Sequence, residues 1–448
     1  MGQLFGTDGI RGRANTYPMT CDLAMKTGQA VGILTQKSSN QCVVIGRDTR
    51  ISGQMLESAL AAGIACAGVD VMTAGVIPTP GVAYLTSVIE SCGAGIMISA
   101  SHNPYYDNGI KIFQKGGMKL SDDQEADLEK IILGTPIDLP AKIGTIASAN
   151  DAQARYAQFL LNKFNFQKKR KKLKLVIDTA NGAASFCAPA IFTPDIFDVN
   201  FIHNQPNGTN INKDCGSQHT KDLSDHVKKI NADLGLAFDG DADRLIAVDE
   251  TGQQITGDTL LAILSRFAKQ TGKLGNNIVV STVMSNVGFG NAMAQLGIKH
   301  EITGVGDRKV LERMKETGAL IGGEDSGHMI FLDEHTTGDG VLSALKLIEV
   351  LLETNTPLSQ LAKVMTVYPQ VLINVDVDAS RPDFMKMPMV ADAIKEVESQ
   401  LGRQGRVLVR YSGTQPLLRV MVEGPEESLT RQCCEKICKA IRKSLKSL

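Results

Sequence analysis

Leu175-Val176-Ile177-Asp178, followed by Thr179-Ala180-Asn181-Gly182, is a short apolar run that ends in polar and small residues. Similar runs occur at Val43-Val44-Ile45 and at Ile278-Val279-Val280-Ser281. Residues 52–63 then place apolar side chains at helical intervals, which predicts a helix that ends at the glycine in position 63. Short apolar runs that alternate with helical patterns are typical of βαβ units. The sequence therefore predicts a mixed α/β unit in three similar copies.

The pattern changes after Val367-Tyr368-Pro369. A strand pattern over residues 371–377 is followed by a helix, two strands between Arg406 and Met421, and a terminal helix from Glu426. That order indicates a smaller α+β domain with an antiparallel sheet. Turn signals near residues 150 and 252 suggest two further boundaries. We therefore predict four domains, over residues 1–150, 151–252, 253–367 and 368–448.

Composition and charge exclude several classes of partner. The 448 residues carry a formal net charge of −1, so no global field attracts nucleic acid or an anionic membrane. The nine cysteines contain no C-x-x-C pair, which favours a reducing compartment. The sequence shows no charged and apolar leader and no apolar run of membrane-spanning length. We expect a cytoplasmic protein that binds neither nucleic acid nor membrane.

Ser101 lies in Ile98-Ser99-Ala100-Ser101-His102-Asn103-Pro104, directly after an apolar strand pattern. Pro104 prevents a simple helical continuation, and the small Ala100 leaves the serine hydroxyl approachable at the strand exit. His102 is adjacent, but the G-x-S-x-G signature of a serine hydrolase is missing around Ser101. The segment therefore predicts a reactive hydroxyl that does not belong to a hydrolase triad.

Lys111 follows in the apolar context Ile110-Lys111-Ile112. Partial burial there would lower the pKa of its ammonium group and suit it to acid/base work. A lysine on the solvent face of a strand is the alternative interpretation.

Asp239-Gly240-Asp241-Ala242-Asp243-Arg244 places three carboxylates two residues apart. In an extended loop, residues two apart project to the same side and can converge on one ion. Only oxygen ligands are present, which favours Mg²⁺ over zinc. Together with Ser101, the cluster predicts a phosphorylated serine that faces Mg²⁺ and takes part in phosphoryl transfer.

Four further loops offer contacts for a phosphorylated ligand. Gly6-Thr7-Asp8-Gly9-Ile10-Arg11-Gly12 is glycine-rich and carries a guanidinium, although such a stretch can also be a plain turn. Gly323-Glu324-Asp325-Ser326-Gly327-His328 suits sugar hydroxyls or is a polar turn, and Gly304-Val305-Gly306-Asp307-Arg308 is a further candidate. Arg410-Tyr411-Ser412-Gly413-Thr414-Gln415, together with Arg419, predicts a phosphate cradle.

The serine loop, the aspartate loop, residues 324–328 and residues 412–414 occur in one order, with one loop per predicted domain. This set resembles the α-D-phosphohexomutases over the whole chain. The details of residues 5–12, 324–328 and 410–414 are most similar to the bacterial branch that acts on glucosamine phosphates. Two residues depart from the family pattern: Gln415 stands where Glu is usual, and Lys309 stands where Tyr is common.

The resemblance implies three similar mixed α/β domains followed by a smaller α+β domain, arranged around a central active-site cleft. It implies an isomerase that interconverts glucosamine 6-phosphate and glucosamine 1-phosphate for cell-envelope amino-sugar synthesis. Phospho-Ser101 would pass its phosphoryl group to the sugar, and glucosamine 1,6-bisphosphate would reorient before returning the other one.

The resemblance also implies a role for each site residue. Mg²⁺ would be held by Ser101, Asp239, Asp241 and Asp243; protons would be moved by Lys111 and His102; the transferring phosphate would be steadied by Arg11 and Arg244; the sugar would be contacted by Glu324, Ser326 and His328; and the other phosphate would be bound by Arg410, Ser412, Gly413, Thr414 and Arg419.

Three alternatives stay open on the sequence alone. The first is a phosphoglucomutase or phosphomannomutase that acts on neutral hexose phosphates through the same loops. The second is a sugar-phosphate binder without turnover, and the third is a metal-dependent phosphatase. A homodimer is compatible with the sequence, as is a single chain.

Overall fold

The computed structural model describes residues 3–6, 8–37, 41–134, 138–164, 172–377, 383–411 and 417–445. The chain divides into two compact units. The first comprises Met1–Met284 and Lys299–Lys363, and the second comprises Ser285–Ile298 and Val364–Leu448. The described residues form four β-sheets, of which three belong to the first unit and one belongs to the second.

The first sheet has eight strands and carries the serine loop. Its elements are β1 (Phe5–Gly6), β2 (Gly9–Arg13), α1 (Cys21–Lys37), β3 (Cys42–Arg47), α2 (Gly53–Cys66), β4 (Asp70–Val76), α3 (Thr79–Val88), β5 (Cys92–Ile98), β6 (Asp107–Gln114), β7 (Met118–Lys119), α4 (Asp122–Leu133) and β8 (Ile146–Ser148). The strand order is β1-β2-β6-β5-β3-β4-β8, and β7 pairs with β6. β3 runs parallel to both β4 and β5, whereas β5 and β6 are antiparallel.

The central strands β3 and β5 are almost completely buried, which explains why they read as continuous apolar runs. The prediction that the next helix ends at Gly63 is wrong, because α2 continues to Cys66. Gly63 instead permits close packing on α1: a Cβ atom there would lie 2.1 Å from the carbonyl oxygen of Met25. The glycine therefore serves helix–helix approach and not helix termination.

The second sheet carries the aspartate loop. Its elements are α5 (Ala152–Leu161), β9 (Lys174–Asp178), α6 (Ala184–Ile191), β10 (Asp198–Ile202), α7 (Lys221–Ile230), β11 (Leu234–Phe238), β12 (Leu245–Asp249) and β13 (Gln254–Ile255). The strand order is β10-β9-β11-β12-β13. β9 is parallel to both β10 and β11, and β11 forms an antiparallel hairpin with β12. Residues 239–244 connect the two strands of that hairpin.

The third sheet has the order β15-β14-β16-β17. This part of the chain contains α8 (Gly257–Gln270), β14 (Ile278–Thr282), α9 (Val287–Gln295), β15 (Lys299–Thr303), α10 (Asp307–Thr317), β16 (Ile321–Gly323), β17 (Met329–Phe331), α11 (Gly340–Thr354) and α12 (Leu358–Leu361). β14 is parallel to β15 and β16, and β16 pairs with β17 in antiparallel fashion. Residues 324–328 form the turn between β16 and β17.

The second unit contains a three-stranded antiparallel sheet, as predicted for an α+β domain. Besides α9, which lies in its Ser285–Ile298 segment, this unit contains β18 (Gln370–Asp376), α13 (Pro388–Leu401), β19 (Arg406–Tyr411), β20 (Leu417–Glu423) and α14 (Glu427–Leu445). Arg410 and Arg419 were expected in the loop between these strands. They lie on β19 and β20 and face each other in register, because the strands extend further toward the loop than the sequence pattern indicates.

The predicted fold class is confirmed as mixed α/β sheets followed by a C-terminal α+β domain. The four domain boundaries stay a prediction. Among the helices that the structure describes, none combines the length and the apolar character needed to cross a bilayer.

Candidate active site

Ser101 follows strand β5 after a short turn and is held in an unusual conformation. Its backbone has a φ of 53°, and its amide donates a hydrogen bond of 2.9 Å to the Ser99 hydroxyl. The Ser101 hydroxyl donates to Asp239 Oδ2 at 2.5 Å. The residue is only 1% exposed, so the hydroxyl that the sequence suggested was approachable is covered by the aspartate loop.

Arg50 anchors the serine loop, although it was not among the predicted site residues. Its fully buried guanidinium donates to the carboxylate of Asp48 at 2.8 Å. It also donates to four backbone carbonyls of the serine loop, those of Ser101, Asn103, Pro104 and Asp107. An arginine has five N–H groups, and this environment uses all of them. The available signal was position: Arg50 follows β3, the parallel neighbour of β5.

Two more contacts fix the serine loop. Asp48 accepts a hydrogen bond from Ser99 Oγ at 2.6 Å, which orients the group that holds the Ser101 amide. From the second sheet's domain, Asn212 Nδ2 donates to the carbonyl of Ser101 at 2.8 Å. A Cβ atom at Gly240 would lie 2.6 Å from the same carbonyl, so the aspartate loop needs glycine there.

The three aspartates converge as their spacing predicts. Carboxylate oxygens of Asp239, Asp241 and Asp243 all lie within 4.8 Å of one another, and all three residues are buried. The β11–β12 hairpin produces this arrangement, since its turn brings alternate residues to one side. Thr79 from the first sheet's domain donates to Asp241 Oδ2 at 2.5 Å and helps to orient it.

The triad fits a hard divalent cation. Among the described residues, Asp241 Oδ1 and Asp243 Oδ1 are buried without a hydrogen-bond partner. Burial, together with the charges of Asp243 and Asp241, raises the pKa of Asp239 well above its ordinary value. Unpartnered oxygens and mutual repulsion both indicate a shortage of positive charge at this point. Oxygen-only donors are the set that Mg²⁺ prefers.

Lys111 is buried next to the triad, so the interpretation as a solvent-facing strand lysine is wrong. Its Nζ lies 2.8 Å from Asp241 Oδ2, 3.4 Å from Asp243 Oδ2 and 3.3 Å from Asp8 Oδ2. Burial alone lowers the pKa of Lys111, but the charges of these carboxylates outweigh it and raise the pKa well above its ordinary value. The predicted lowering is therefore also wrong, because the sequence does not reveal three acidic neighbours from distant segments.

His102 Nδ1 lies 3.3 Å from the Ser101 hydroxyl oxygen. Burial and the charges of Arg244 and Arg11 lower the pKa of His102 to about 4, so its imidazole is neutral at physiological pH. Arg11 forms an ion pair with Asp8, and Arg244 Nε lies 3.8 Å from Asp243 Oδ1. The structure thus brings every predicted catalytic residue to the triad or to its immediate surroundings.

A cleft of about 390 Å³ opens beside this cluster. Its lining includes Asp8, Arg11, Asp243, Arg244, Val305, Gly306, Asp307, Glu324 and His328. Glu324 Oε1 accepts a hydrogen bond from the Gly306 amide at 3.1 Å. The predicted sugar contacts Glu324 and His328 therefore face the cleft. Ser326 is not among the lining residues, and its hydroxyl has no partner within the described part of the chain.

His328 connects the triad to a second ionic group. Its Nδ1 lies 3.7 Å from Asp243 Oδ1, and its Nε2 lies 3.6 Å from Asp307 Oδ2. Lys119, which was not among the predicted site residues, forms ion pairs with Asp8 and with Asp307, the latter at 2.5 Å. Its strand β7 covers two residues, too few to give a sequence pattern. Lys119 thus joins the glycine-rich loop to the start of α10.

The predicted phosphate cradle is only partly visible. Arg410 and Arg419 lie opposite each other on adjacent strands, and burial together with the neighbouring charge of Arg419 lowers the pKa of Arg410. Ser412, Gly413, Thr414 and Gln415 lie outside the described residues.

Comparison with known proteins places these features in a family. Four domain models of the phosphoglucomutase/phosphomannomutase family match in order: α/β/α domain I at residues 2–136, domain II at 154–252, domain III at 256–368 and the C-terminal domain at 372–440. The chain belongs to the phosphoglucomutase/phosphomannomutase family. This confirms the resemblance predicted from the four loops.

Relatives within the phosphoglucomutase/phosphomannomutase family match the chain from end to end. A phosphoglucosamine mutase of Desulforapulum autotrophicum is 54% identical, with 99% of this chain and 100% of the relative covered. A phosphoglucosamine mutase of Syntrophobacter fumaroxidans is 51% identical, with 99% and 100% covered. The crystal structure of a family protein from Burkholderia thailandensis superposes with a TM-score of 0.82 at 23% identity, covering 98% of this chain and 97% of that one.

Proposed function

We propose that this chain is a phosphoglucosamine mutase, which interconverts glucosamine 6-phosphate and glucosamine 1-phosphate. The observation that carries the proposal is the 2.5 Å contact between the Ser101 hydroxyl and Asp239, inside a buried carboxylate triad with a cationic lysine beside it. The shared name of the full-length relatives supports an amino sugar as the substrate.

The reaction begins with phosphorylated Ser101. The bond between phosphorus and Ser101 Oγ breaks as a new bond forms to the free hydroxyl of the sugar phosphate, giving glucosamine 1,6-bisphosphate. The bisphosphate reorients in the cleft, and its other phosphoryl group is then transferred to Ser101. The enzyme is thereby regenerated, and the net change is the position of one phosphate.

Each transfer also moves a proton. The attacking sugar hydroxyl loses a proton, and Ser101 Oγ gains one as its phosphoryl group leaves. Lys111 is held in its cationic form by three carboxylates and is the proposed proton donor. Neutral His102, 3.3 Å from Ser101 Oγ, is the proposed partner that accepts.

A bound Mg²⁺, with Ser101, Asp239, Asp241 and Asp243 as its proposed ligands, would supply positive charge to the oxygens of the transferring group. Arg11 and Arg244 line the cleft next to the triad and are the proposed clamps for the transferring phosphate. Glu324 and His328 would contact the sugar ring, with Ser326 close by. Arg410, Ser412, Gly413, Thr414 and Arg419 would bind the phosphate that does not react.

We also propose the biological setting. The product would feed the synthesis of UDP-N-acetylglucosamine for the cell envelope, in the cytoplasm. The predicted domains 1–150, 151–252, 253–367 and 368–448 would each contribute one of the four loops. A homodimer stays a prediction, and light scattering of the purified protein tests it.

The decisive experiment compares kcat/KM for glucosamine 1-phosphate, glucose 1-phosphate and mannose 1-phosphate with the purified full-length protein. We expect the amino sugar to be preferred. A stronger preference for either neutral sugar would reject the assignment in favour of a phosphoglucomutase or phosphomannomutase. Binding without turnover would indicate a non-catalytic protein, and net release of inorganic phosphate would indicate a phosphatase.

A further inference from the structure

A second group of side chains of the kinds that commonly bind metal ions lies at the edge of the second sheet. Asp178 is the last residue of β9, and its register partner on the parallel strand β10 is Ile202, which His203 follows directly. The carboxyl ends of adjacent parallel strands meet at one edge of a sheet, where α/β proteins commonly bind ligands. Cys215 joins the two side chains from the loop that returns across this edge.

The three side chains offer a mixed set of donors. A carboxylate oxygen of Asp178, a ring nitrogen of His203 and the sulfur of Cys215 lie within 4.8 Å of one another. Asp178 and Cys215 are buried, whereas His203 is half-buried and gives access from solvent. Nitrogen, oxygen and thiolate sulfur together are typical of Zn²⁺ and similar cations, unlike the oxygen-only triad of the active site.

His203 and Asp178 lie close enough to each other to be ligands of one ion. Nδ1 of His203 lies 3.0 Å from Asp178 Oδ2, yet within the described chain this buried nitrogen has no hydrogen-bond partner. A hydrogen bond needs the N–H group to point at its acceptor. Two ligands of one ion instead direct their lone pairs at a third point between them, which leaves a short distance with poor alignment.

The surroundings orient both ligands. The carboxylate of Asp178 accepts hydrogen bonds from the amides of Ala180 at 2.8 Å and Gly216 at 2.9 Å. On the other side of the imidazole, His203 Nε2 lies 3.6 Å from Asp222 Oδ2. A carboxylate near the second nitrogen of a histidine ligand is a common feature of zinc sites, because it holds the ring and selects the tautomer.

We propose that Asp178, His203 and Cys215 form a second metal site that binds Zn²⁺ or a similar borderline divalent cation. On binding, the Cys215 thiol releases its proton to solvent, and His203 Nδ1 binds the ion with the proton kept on Nε2 toward Asp222. Three protein ligands leave one tetrahedral position for a water molecule. The ion links the ends of β9 and β10 to the loop that carries Cys215, and the site does not depend on the proposed catalytic activity.

Cobalt provides the most direct test, since Co²⁺ replaces Zn²⁺ and reports its ligands by absorption. The purified full-length protein is treated with a chelator, desalted and titrated with Co²⁺ in the presence of excess Mg²⁺, which occupies the oxygen-only triad. We expect a thiolate-to-cobalt charge-transfer band in the near ultraviolet that saturates at one equivalent. A titration without that band would overturn the proposal, and it requires no variant that could fail to fold.

Variants then identify the ligands. After loading with Zn²⁺ and desalting, Cys215→Ser and His203→Gln should lose the tightly held equivalent that the wild type retains. Cys187→Ser is the matched control, because Cys187 is another buried free cysteine outside the cluster, and it should keep its zinc. Asp241→Asn should also keep it, which separates this site from the active site. Full retention of zinc by folded Cys215→Ser would refute the assignment.

Discussion

The Ser101 hydroxyl and Asp239 Oδ2 are joined by a 2.5 Å hydrogen bond across 138 positions of sequence. The contact connects the loop after β5 of the first sheet with the β11–β12 hairpin of the second. Both ends are buried, and the donor lies on a residue with positive φ that the surrounding bonds hold in place. Elements that lie far apart in the sequence thus bring a reactive hydroxyl next to a set of carboxylates that are suited to binding a metal ion.

Ser101→Ala should abolish the mutase reaction, because it removes the hydroxyl that we propose as the carrier of the phosphoryl group. We expect kcat to fall at least about 10³-fold, in line with the loss of a covalent nucleophile. Alanine has the same Cβ atom as serine, so it adds no backbone strain at φ 53°. It does remove the hydrogen bond to the buried Asp239, so chemical denaturation should show a cooperative transition with a free energy of unfolding about 1–3 kcal/mol below that of the wild type. Turnover at the wild-type rate would contradict the phosphoserine scheme.

Arg50→Lys should impair catalysis without removing substrate binding. Lysine keeps the charge next to Asp48 but cannot serve four separate carbonyls of the serine loop. We expect kcat to fall while KM changes little, since Arg50 does not line the cleft. Arg47→Lys is the control. Arg47 is the last residue of β3, the strand that Arg50 follows, but its side chain donates a hydrogen bond to Glu57. The Arg47→Lys variant should therefore keep kcat near the wild-type value.

Arg50→Met tests the same residue through stability. It leaves the buried carboxylate of Asp48 without its cation, which costs about 3–5 kcal/mol in comparable buried pairs. The free energy of unfolding, measured by urea denaturation, should fall accordingly. A loss well under 1 kcal/mol would show that Arg50 is not the anchor of this loop.

Removal of divalent cations should abolish the mutase activity, and addition of Mg²⁺ should restore it. Because the cation would bind the folded triad and not the unfolded chain, Mg²⁺ at 100 times its Kd should stabilise the protein by about 2.7 kcal/mol. The midpoint of thermal unfolding measures this effect. Asp241→Asn should weaken the Mg²⁺-dependent rise; an unchanged rise in that variant would place the ion elsewhere.

Asp339 should make stability depend on pH. It caps α11, accepts hydrogen bonds from Tyr156 Oη at 3.0 Å, and burial raises its pKa to about 7. When the pKa of a carboxyl group is higher in the folded state than in the unfolded state, the group contributes to the free energy of unfolding. That contribution is fully present below the unfolded-state pKa and is lost as the pH rises through the folded-state pKa. Between about pH 4 and pH 7, the wild type should lose stability at up to about 1.4 kcal/mol per pH unit.

Asp339→Asn is the matched comparison, because asparagine keeps a capping oxygen and does not titrate. The free energies of unfolding of the two proteins should converge or cross as pH rises through this window. Parallel pH profiles would show that Asp339 is not the titrating group.

Local patterns were sufficient for the strands and for the aspartate loop. β3, β9 and β14 are buried on both faces and therefore have uninterrupted apolar sequences. Asp239, Asp241 and Asp243 lie on one hairpin turn, so their spacing alone predicts that they converge. The loops with the clearest motifs could be found for the same reason.

Features that depend on distant contacts could not be predicted. The direction of the Lys111 pKa shift depends on Asp8, Asp241 and Asp243, which come from two other loops. Arg50 looks like an ordinary polar residue after a strand until the carbonyls around it are known. Gly63 carries a helix-stop signal in sequence, but the neighbouring helix determines its use.

Arg50 binds main-chain oxygens, and every amino acid provides one. The shape of the turn from Ser101 to Asp107 is therefore largely independent of which side chains occupy its outer positions. We expect substitutions at Tyr105 and Tyr106, exposed by 39% and 43%, to leave the nucleophile in its position. A library of substitutions at these two positions would therefore show how far the backbone contacts of Arg50 set the alignment of Ser101.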